Sequence, residues 1–275
     1  SGALSFIVAP DYETKANYSI QAVASDGANS TSQLISISIA NLNDNDPVIS
    51  STNSFSIYEG VTTIGVIEAT DADGDTITYS ISGTDASSIS VNSSSGALTF
   101  NTAPDYETKT SYSITATASD GINTDSQDIS ISINDLNDNS PNITSSNSLS
   151  VEENTRNVGT IEATDADNDS ISFSISGTDA SDFNLVSNTG VLTLIGLADY
   201  EVKNSYSIVI SASDGVNSST QNVSVSVNDL NEAPTFTSVS SYSVQEGNTE
   251  IGSITTSDPE NNNVSYSISG TDASS

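Results

Sequence analysis

The same phrases return along this chain at an interval of 94 residues, shortened by one in the last copy. APDYET begins at Ala9 and Ala103 and returns as LADYEV at Leu197. SDG begins at Ser25, Ser119 and Ser213, and LNDN at Leu42 and Leu136 becomes LNEA at Leu230. ATDADGD at Ala69 and ATDADND at Ala163 become TSDPENN at Thr256, while SGTDAS begins at Ser82, Ser176 and Ser269. A fixed period of this kind means successive copies of one structural unit. Within the unit apolar side chains alternate with Ser, Thr or Asp, as in Ile77, Tyr79, Ile81, then Tyr112, Ile114, Ala116, Ala118, then Ile129, Ile131, Ile133. Period two marks half-buried strands, and nothing comparable recurs at helical spacing.

Turn-forming clusters divide the unit at 45–138 into seven strands, near 48–58, 63–70, 76–82, 88–92, 97–101, 111–119 and 126–134. The expected fold is therefore all-β: tandem seven-stranded, immunoglobulin-like Greek-key β-sandwiches following one another as a linear rod. Residues 45–138 and 139–232 are complete units. Residues 1–44 supply the carboxy-terminal half of a unit, and 233–275 the amino-terminal half. Three strands alone leave a sheet edge and an apolar face uncovered. The two halves together lack only the fourth strand, so they either belong to a longer array or join successive molecules head to tail into a filament.

Thirty-six Asp and Glu stand against four Lys and Arg, a net charge of −32. Lys15, Lys109, Arg156 and Lys203 are too scattered to form a basic patch, which excludes nucleic acid and contact with an anionic membrane. Cys, His, Met and Trp are absent, so thiol nucleophiles, Ser-His-Asp triads and imidazole or thiolate metal sites are absent too. No enzyme is expected. Twenty-three of the 36 acidic residues occupy positions that recur with the repeat, in DYE, LNDN, the DAD-like segments, SDG and the single Glu59, Glu153 and Glu246. Loops after alternate strands of a sandwich gather at one end, so DYE and LNDN of one unit converge, as do DAD and SDG of the next. Carboxylates so crowded repel unless counter-ions are held among them, and hard oxygen donors suit Ca²⁺.

Those phrases are similar to the motifs XEX, DRE, DXNDN, DXD and XDX of cadherin repeats. In order and at one period they make nearly the whole chain resemble that family, most of all its compact bacterial cadherin-like repeats. The resemblance implies about three Ca²⁺ ions between consecutive repeats, stiffening the linker. It implies, for the complete junction, Glu59, Asp105, Glu107, Asp135, the Leu136 carbonyl, Asn137, Asp138, the Asn139 carbonyl, Asp165, Asp167 and Asp214 as ligands. For the first junction it implies Asp11, Glu13, Asn43, Asp44, Asn45, Asp71, Asp73 and Asp120, with Asn41 standing where the motif has Asp. For the third it implies Glu153, Asp199, Glu201, Asp229, Leu230, Asn231, Glu232, Asp258 and Glu260, with Glu232 in place of the motif Asp. Fewer or weaker ions are expected at these outer two. Glu246 and Asp26 are the corresponding ligands of the half-repeats, and neighbouring molecules in a head-to-tail assembly would bring them together.

Other chemistries fit these phrases less well. DADGD resembles an EF-hand loop, but its sixth position is Thr76 rather than Gly and no helices flank it. Paired carboxylates such as Asp105 and Glu107 could serve a glycosidase, but identical copies in every repeat favour a structural role. Tyr12, Tyr106 and Tyr200 stack on sugars in a carbohydrate-binding module or anchor a core, and Asn-X-Ser/Thr triplets at Asn29, Asn92 and Asn217 leave glycosylation open. The function expected is a calcium-stiffened extracellular rod in a cell-surface adhesin or secreted matrix protein. The partners expected are neighbouring repeats, further copies of the chain, or a cell-surface or glycan ligand.

Overall fold

The computed structural model describes residues 2–273, which divide into two compact units, one ending at Leu136 and the other beginning at Asn137.

In the first unit, a four-stranded sheet runs in the order Ser54–Tyr58, Thr124–Asn134, Ser111–Ser119, Thr78–Ser82. A three-stranded sheet runs Thr63–Val66, Ala97–Phe100, Ile89–Val91. All neighbours are antiparallel except Ser54–Tyr58 and Thr124–Asn134, the first and last long strands, which pair in parallel with Ile57 opposite Ile133. Alternation does what period two demands. Ile114, Ala116 and Ala118 on one strand and Ile129, Ile131 and Ile133 on the next are buried, while the Ser, Thr and Asp between them face outward or lie half-buried. All of these apolar residues but Ala118 pack with Ile64, Ile67, Ile89, Leu98 and Phe100 of the opposing sheet and its edge, and each large apolar side chain contributes about 1.5–3 kcal/mol by leaving water.

The first two expected strands each break. Residues 48–58 divide into Val48–Ile49 and Ser54–Tyr58, because Thr52 Oγ1 accepts the Ser54 amide and turns the chain between the two pieces. Residues 63–70 divide into Thr63–Val66 and Ala69–Thr70, with a register shift between Thr63 and Gly65, and Ala69–Thr70 pairs with Val48–Ile49 instead. Gly96 makes this corner possible. A Cβ there would lie 2.1 Å from the Ile67 carbonyl oxygen, and its φ of +70° is glycine territory.

The second unit repeats the design. Its four-stranded sheet is Ser148–Glu152, Ser218–Asn228, Ser205–Ser213, Ser172–Ser176, and its three-stranded sheet is Asn157–Thr160, Val191–Leu194, Phe183–Leu185. Val151, Ile161, Phe183, Leu192, Ile208, Ile210, Val223 and Val225 form its core. Two lysines tie loops to these sandwiches: Lys109 pairs with Asp85 and lies 4.5 Å from the Tyr112 ring centre, and Lys203 pairs with Asp179 at 2.6 Å and lies 4.3 Å from Tyr206. Lys109 and Lys203 hold those two aspartates below the ordinary carboxylate range, helped by the amides of Ser113 and Ser207.

The half-repeats keep local structure with little burial. Asn17–Ser25 and Ser30–Ser38 form a hairpin in the register of the complete repeats. Among described residues of 233–273 the only ladder is Thr235–Phe236 with Thr256–Ser257.

Candidate metal centres

Among the described residues, carboxylates gather at the sandwich ends of both units. In the first unit, the turn of Asp11 and Glu13, the linker around Asp44 and the loop of Asp71 and Asp73 come together. Oxygens of Glu13, Asp44 and Asp73 lie within 4.8 Å of one another, as do those of Asp71, Asp73 and Asp75. Asp73 anchors the linker by accepting the amides of Asp44 at 3.0 Å and Asn45 at 2.8 Å. Asn41, which replaces the motif Asp, turns its carboxamide to the Asp73 carbonyl at 2.7 Å. The Asn45 amide outweighs burial and lowers the Asp73 pKa, while burial first, and then neighbouring Asp11 and Asp73, raises that of Glu13. The Thr14 hydroxyl lowers Asp11. Asp120 accepts the amides of Ile122 and Asn123 at 2.7 and 2.6 Å, which overcome burial to lower its pKa.

At the other end of that unit, Glu59 is 2% exposed. Its carboxylate accepts the Tyr106 amide at 2.7 Å and the Leu136 amide at 2.8 Å, so it bolts the DYE turn to the LNDN segment. Glu59, Glu107 and Asp135 place oxygens within 4.8 Å of one another. Asp105 closes its own turn on Thr108, whose hydroxyl lowers its pKa.

The second unit opens on Asn137, Asp138 and Asn139. Asp167, nearly buried, accepts the Asn139 amide at 2.9 Å and its carboxamide at 2.8 Å, as Asp73 does for Asn45. Asp165 Oδ1 accepts the amides of Asp167 and Asp169, and Asp214 Oδ1 those of Val216 and Asn217. At the far end Glu153, 1% exposed, accepts the amides of Tyr200 at 3.2 Å and Leu230. Oxygens of Glu153, Asp229 and Glu260 lie within 4.8 Å, and burial followed by those three charges raises the Glu201 pKa. Asp199 caps its turn through the Val202 amide at 2.9 Å, and Asp258 accepts the Asn262 amide at 2.8 Å. Glu232 sends its amide to Glu260 at 3.0 Å and accepts the Asn154 carboxamide at 2.7 Å, while Asn231 accepts that of Asn262 at 2.6 Å.

Two expected ligands stand apart. Asp26 caps its own turn through the amides of Ala28 and Asn29, and Glu246 is exposed where Glu59 and Glu153 are buried. Tyr106 and Tyr200 pack against the cores, which is the anchor role rather than the sugar platform. Two residues missed from the sequence belong here, Asn123 and Asn217, whose carboxamides reach the linkers. Their signal was recurrence three residues after the SDG aspartate, shared with Asn29.

A cation fits these groups for a reason beyond crowding. Asp71 Oδ2, Asp165 Oδ2 and Glu260 Oε2 are shielded from solvent and accept no hydrogen bond, a costly arrangement for charged oxygens that a cation would satisfy. The donors are all oxygen, with no nitrogen or sulfur ligand to favour a transition metal.

Residues 53–134 and 147–228 each match the Cadherin domain. The chain belongs to the cadherin family. It is 34% identical to human "Protocadherin Fat 4" over 84% of its own length, and 32% identical to mouse "Cadherin-related family member 2" over 96%. It spans 5% and 23% of those proteins. Mouse Cadherin-23 EC22-24 has a similar structure, with a TM-score of 0.63, 25% identity, and coverage of 80% of this chain and 77% of that one. These relatives are animal proteins, and the likeness they show is to cadherin repeats at large. Cadherin repeats are extracellular, occur in adhesion proteins and are not enzymes; cadherin domains bind calcium where repeats meet. No helix among the described residues is long and apolar enough to cross a membrane.

Proposed function

We propose that this segment is a calcium-stiffened spacer in a cell-surface adhesin or secreted matrix protein. Its repeats are bounded at 1–44, 45–138, 139–232 and 233–275. The observation that carries this reading is the set of shielded carboxylate oxygens without a hydrogen bond, Asp71 Oδ2 and Glu260 Oε2 inside all-oxygen clusters and Asp165 Oδ2 in the corresponding loop of the second unit. The residues that would hold Ca²⁺ are those of DYE, LNDN, DAD and SDG together with Glu59 and Glu153. Bound calcium would supply positive charge that cancels carboxylate repulsion, and the protein's part is to hold the oxygens in place. About three ions suit the set from Glu59 to Asp214, which has every motif carboxylate, and fewer suit the sets containing Asn41 and Glu232. The 94-residue period and short DAD loop support the compact, bacterial-like form of repeat.

Small-angle X-ray scattering in millimolar calcium and then in excess chelator tests this. A stiffer, more extended particle with calcium is expected, and identical profiles would overturn the reading. Glu107→Ala or Asp138→Ala should loosen the calcium form while each sandwich stays folded by circular dichroism. The exposed apolar side chains of the half-repeats, such as Leu4 and Ile254, support a second reading in which those faces pair with complementary strands of an adjoining repeat or a second copy. Scattering mass that rises with concentration would favour the second copy.

A further inference from the structure

The turns that carry Asp120 and Asp214 hold a second polar side chain with a specific reach. Asp120 and Asp214 accept the amides of Asn123 and Asn217, each at 2.6 Å, which fixes the backbone of both asparagines. From there each carboxamide meets the linker of its own unit. Asn217 Nδ2 donates to Asn137 Oδ1 at 2.8 Å and lies 3.2 and 3.3 Å from the carbonyl oxygens of Asn137 and Asn139. Asn123 Nδ2 donates to Asn43 Oδ1 at 3.0 Å and lies 3.4 Å from the Asn45 carbonyl. The same bonds thus form independently in the two units, across 78 and 80 residues of sequence.

We propose that Asn123 and Asn217 are positioning residues that set the linkers at 43–45 and 137–139 into ligand geometry before any cation binds. This rests on the calcium reading above. One side of each linker is already held, because Asp73 and Asp167 bind the amides of Asn45 and Asn139. The opposite side turns the carbonyls and the Asn43 or Asn137 side-chain oxygen toward the asparagine, while the Asn43 and Asn137 carboxamides also hydrogen-bond Asp120 and Asp214. A single NH₂ group gathers these oxygens toward one nitrogen. Each oxygen keeps a lone pair for a cation. Aspartate in this position would repel them, and alanine would leave the linker to be ordered by the ion itself, so that binding carries the entropy cost. Asn217 is also the first residue of the triplet Asn217-Ser218-Ser219. Its Nδ2, the atom a glycan would take, is committed to the linker, so a glycan there would break these bonds.

The test uses the whole chain carrying Asn123→Ala with Asn217→Ala, and separately Asn217→Asp. Calcium binding is titrated with calcium chloride by calorimetry, and hydrogen exchange at residues 43–46 and 137–140 is followed in chelator. Faster linker exchange in both variants is expected, with calcium affinity of the double alanine variant lower by about 10- to 100-fold, the usual effect of losing a residue that orients metal ligands. Val225→Ala weakens the core without touching a linker and should leave affinity within about twofold. Unchanged linker exchange would overturn the proposal, and so would an affinity loss matched by Val225→Ala. If the unaltered chain takes up no calcium, the calcium reading and the ligand-setting role fall together, while exchange still shows whether the asparagines hold the linker.

Discussion

Leu98 and Leu192 are fully buried, whereas Leu4, at the same place in the repeat, is 61% exposed. Ile67 and Ile161 are buried while their counterpart Ile254 is 45% exposed. The phrases around these residues are nearly the same, and so is the hairpin register, Tyr18 opposite Ile37 and Tyr112 opposite Ile131. Strand pairing is thus encoded within the hairpin and its SDG turn, but burial is a property of the remaining strands of the sandwich, which 1–44 and 233–273 do not contain. Glu246 carries the same lesson in polar form: without a DYE turn and a LNDN segment beside it, the residue equivalent to Glu59 and Glu153 stays in solvent.

The contrast is broken most forcefully at the leucines. Leu98→Ala or Leu192→Ala should lower unfolding free energy in chelator by about 2–5 kcal/mol, while Leu4→Ala should change it by less than about 0.5 kcal/mol. Denaturant unfolding measures both, and equal losses would mean that Leu4 is packed after all. Gly96→Ala and Gly190→Ala come next. Each adds a Cβ 2.1 or 2.0 Å from a carbonyl oxygen at φ of +70°, strain of about 1–3 kcal/mol, whereas the equivalent Gly2 has nothing within 4 Å and should accept alanine silently. Glu59→Gln or Glu153→Gln should cost about 1–3 kcal/mol by disturbing two buried amide bonds and should weaken calcium binding. Glu246→Gln should do neither in the isolated chain.

The smallest effect is with pH. In chelator, the raised Glu13 and Glu201 oppose folding when ionised, so stability should rise slightly as pH falls through their folded pKa values, which lie above 4.5. Asp11, Asp73, Asp120 and Asp214 are lowered, so they favour folding above 3.8 and lose that contribution only as pH falls through their lower folded values. A shallow stability maximum between these limits is expected from thermal melts across pH 2–7. With calcium present the maximum should vanish, because protonation then releases ions throughout.

Much of this architecture was legible in the sequence because it repeats. Alternation at Ile114, Ala116 and Ala118 announced strands, and recurrence pointed to acidic residues of DYE, LNDN and DAD that come together, but it also marked Asp26 and Glu246, which stand apart, and passed over Asp75, which clusters with Asp71 and Asp73. The breaks at Thr52 and Gly65 were not legible, since they depend on where one sheet ends and the other begins. Nor was the role of Asn123 and Asn217, because a period reports that a side chain returns but not what it faces. Asn217 invited a glycan on local grounds alone; its partners lie 78 and 80 residues away.

The parallel pairing of Ser54–Tyr58 with Thr124–Asn134, and of Ser148–Glu152 with Ser218–Asn228, has a mechanical consequence. These are the first and last long strands of each complete repeat, so tension applied along the chain pulls them in opposite directions parallel to their own axes. The ladder is then loaded in shear, and its bonds must yield together rather than unzip in turn. A tether built from such repeats resists force at the point where the chain enters and leaves each sandwich.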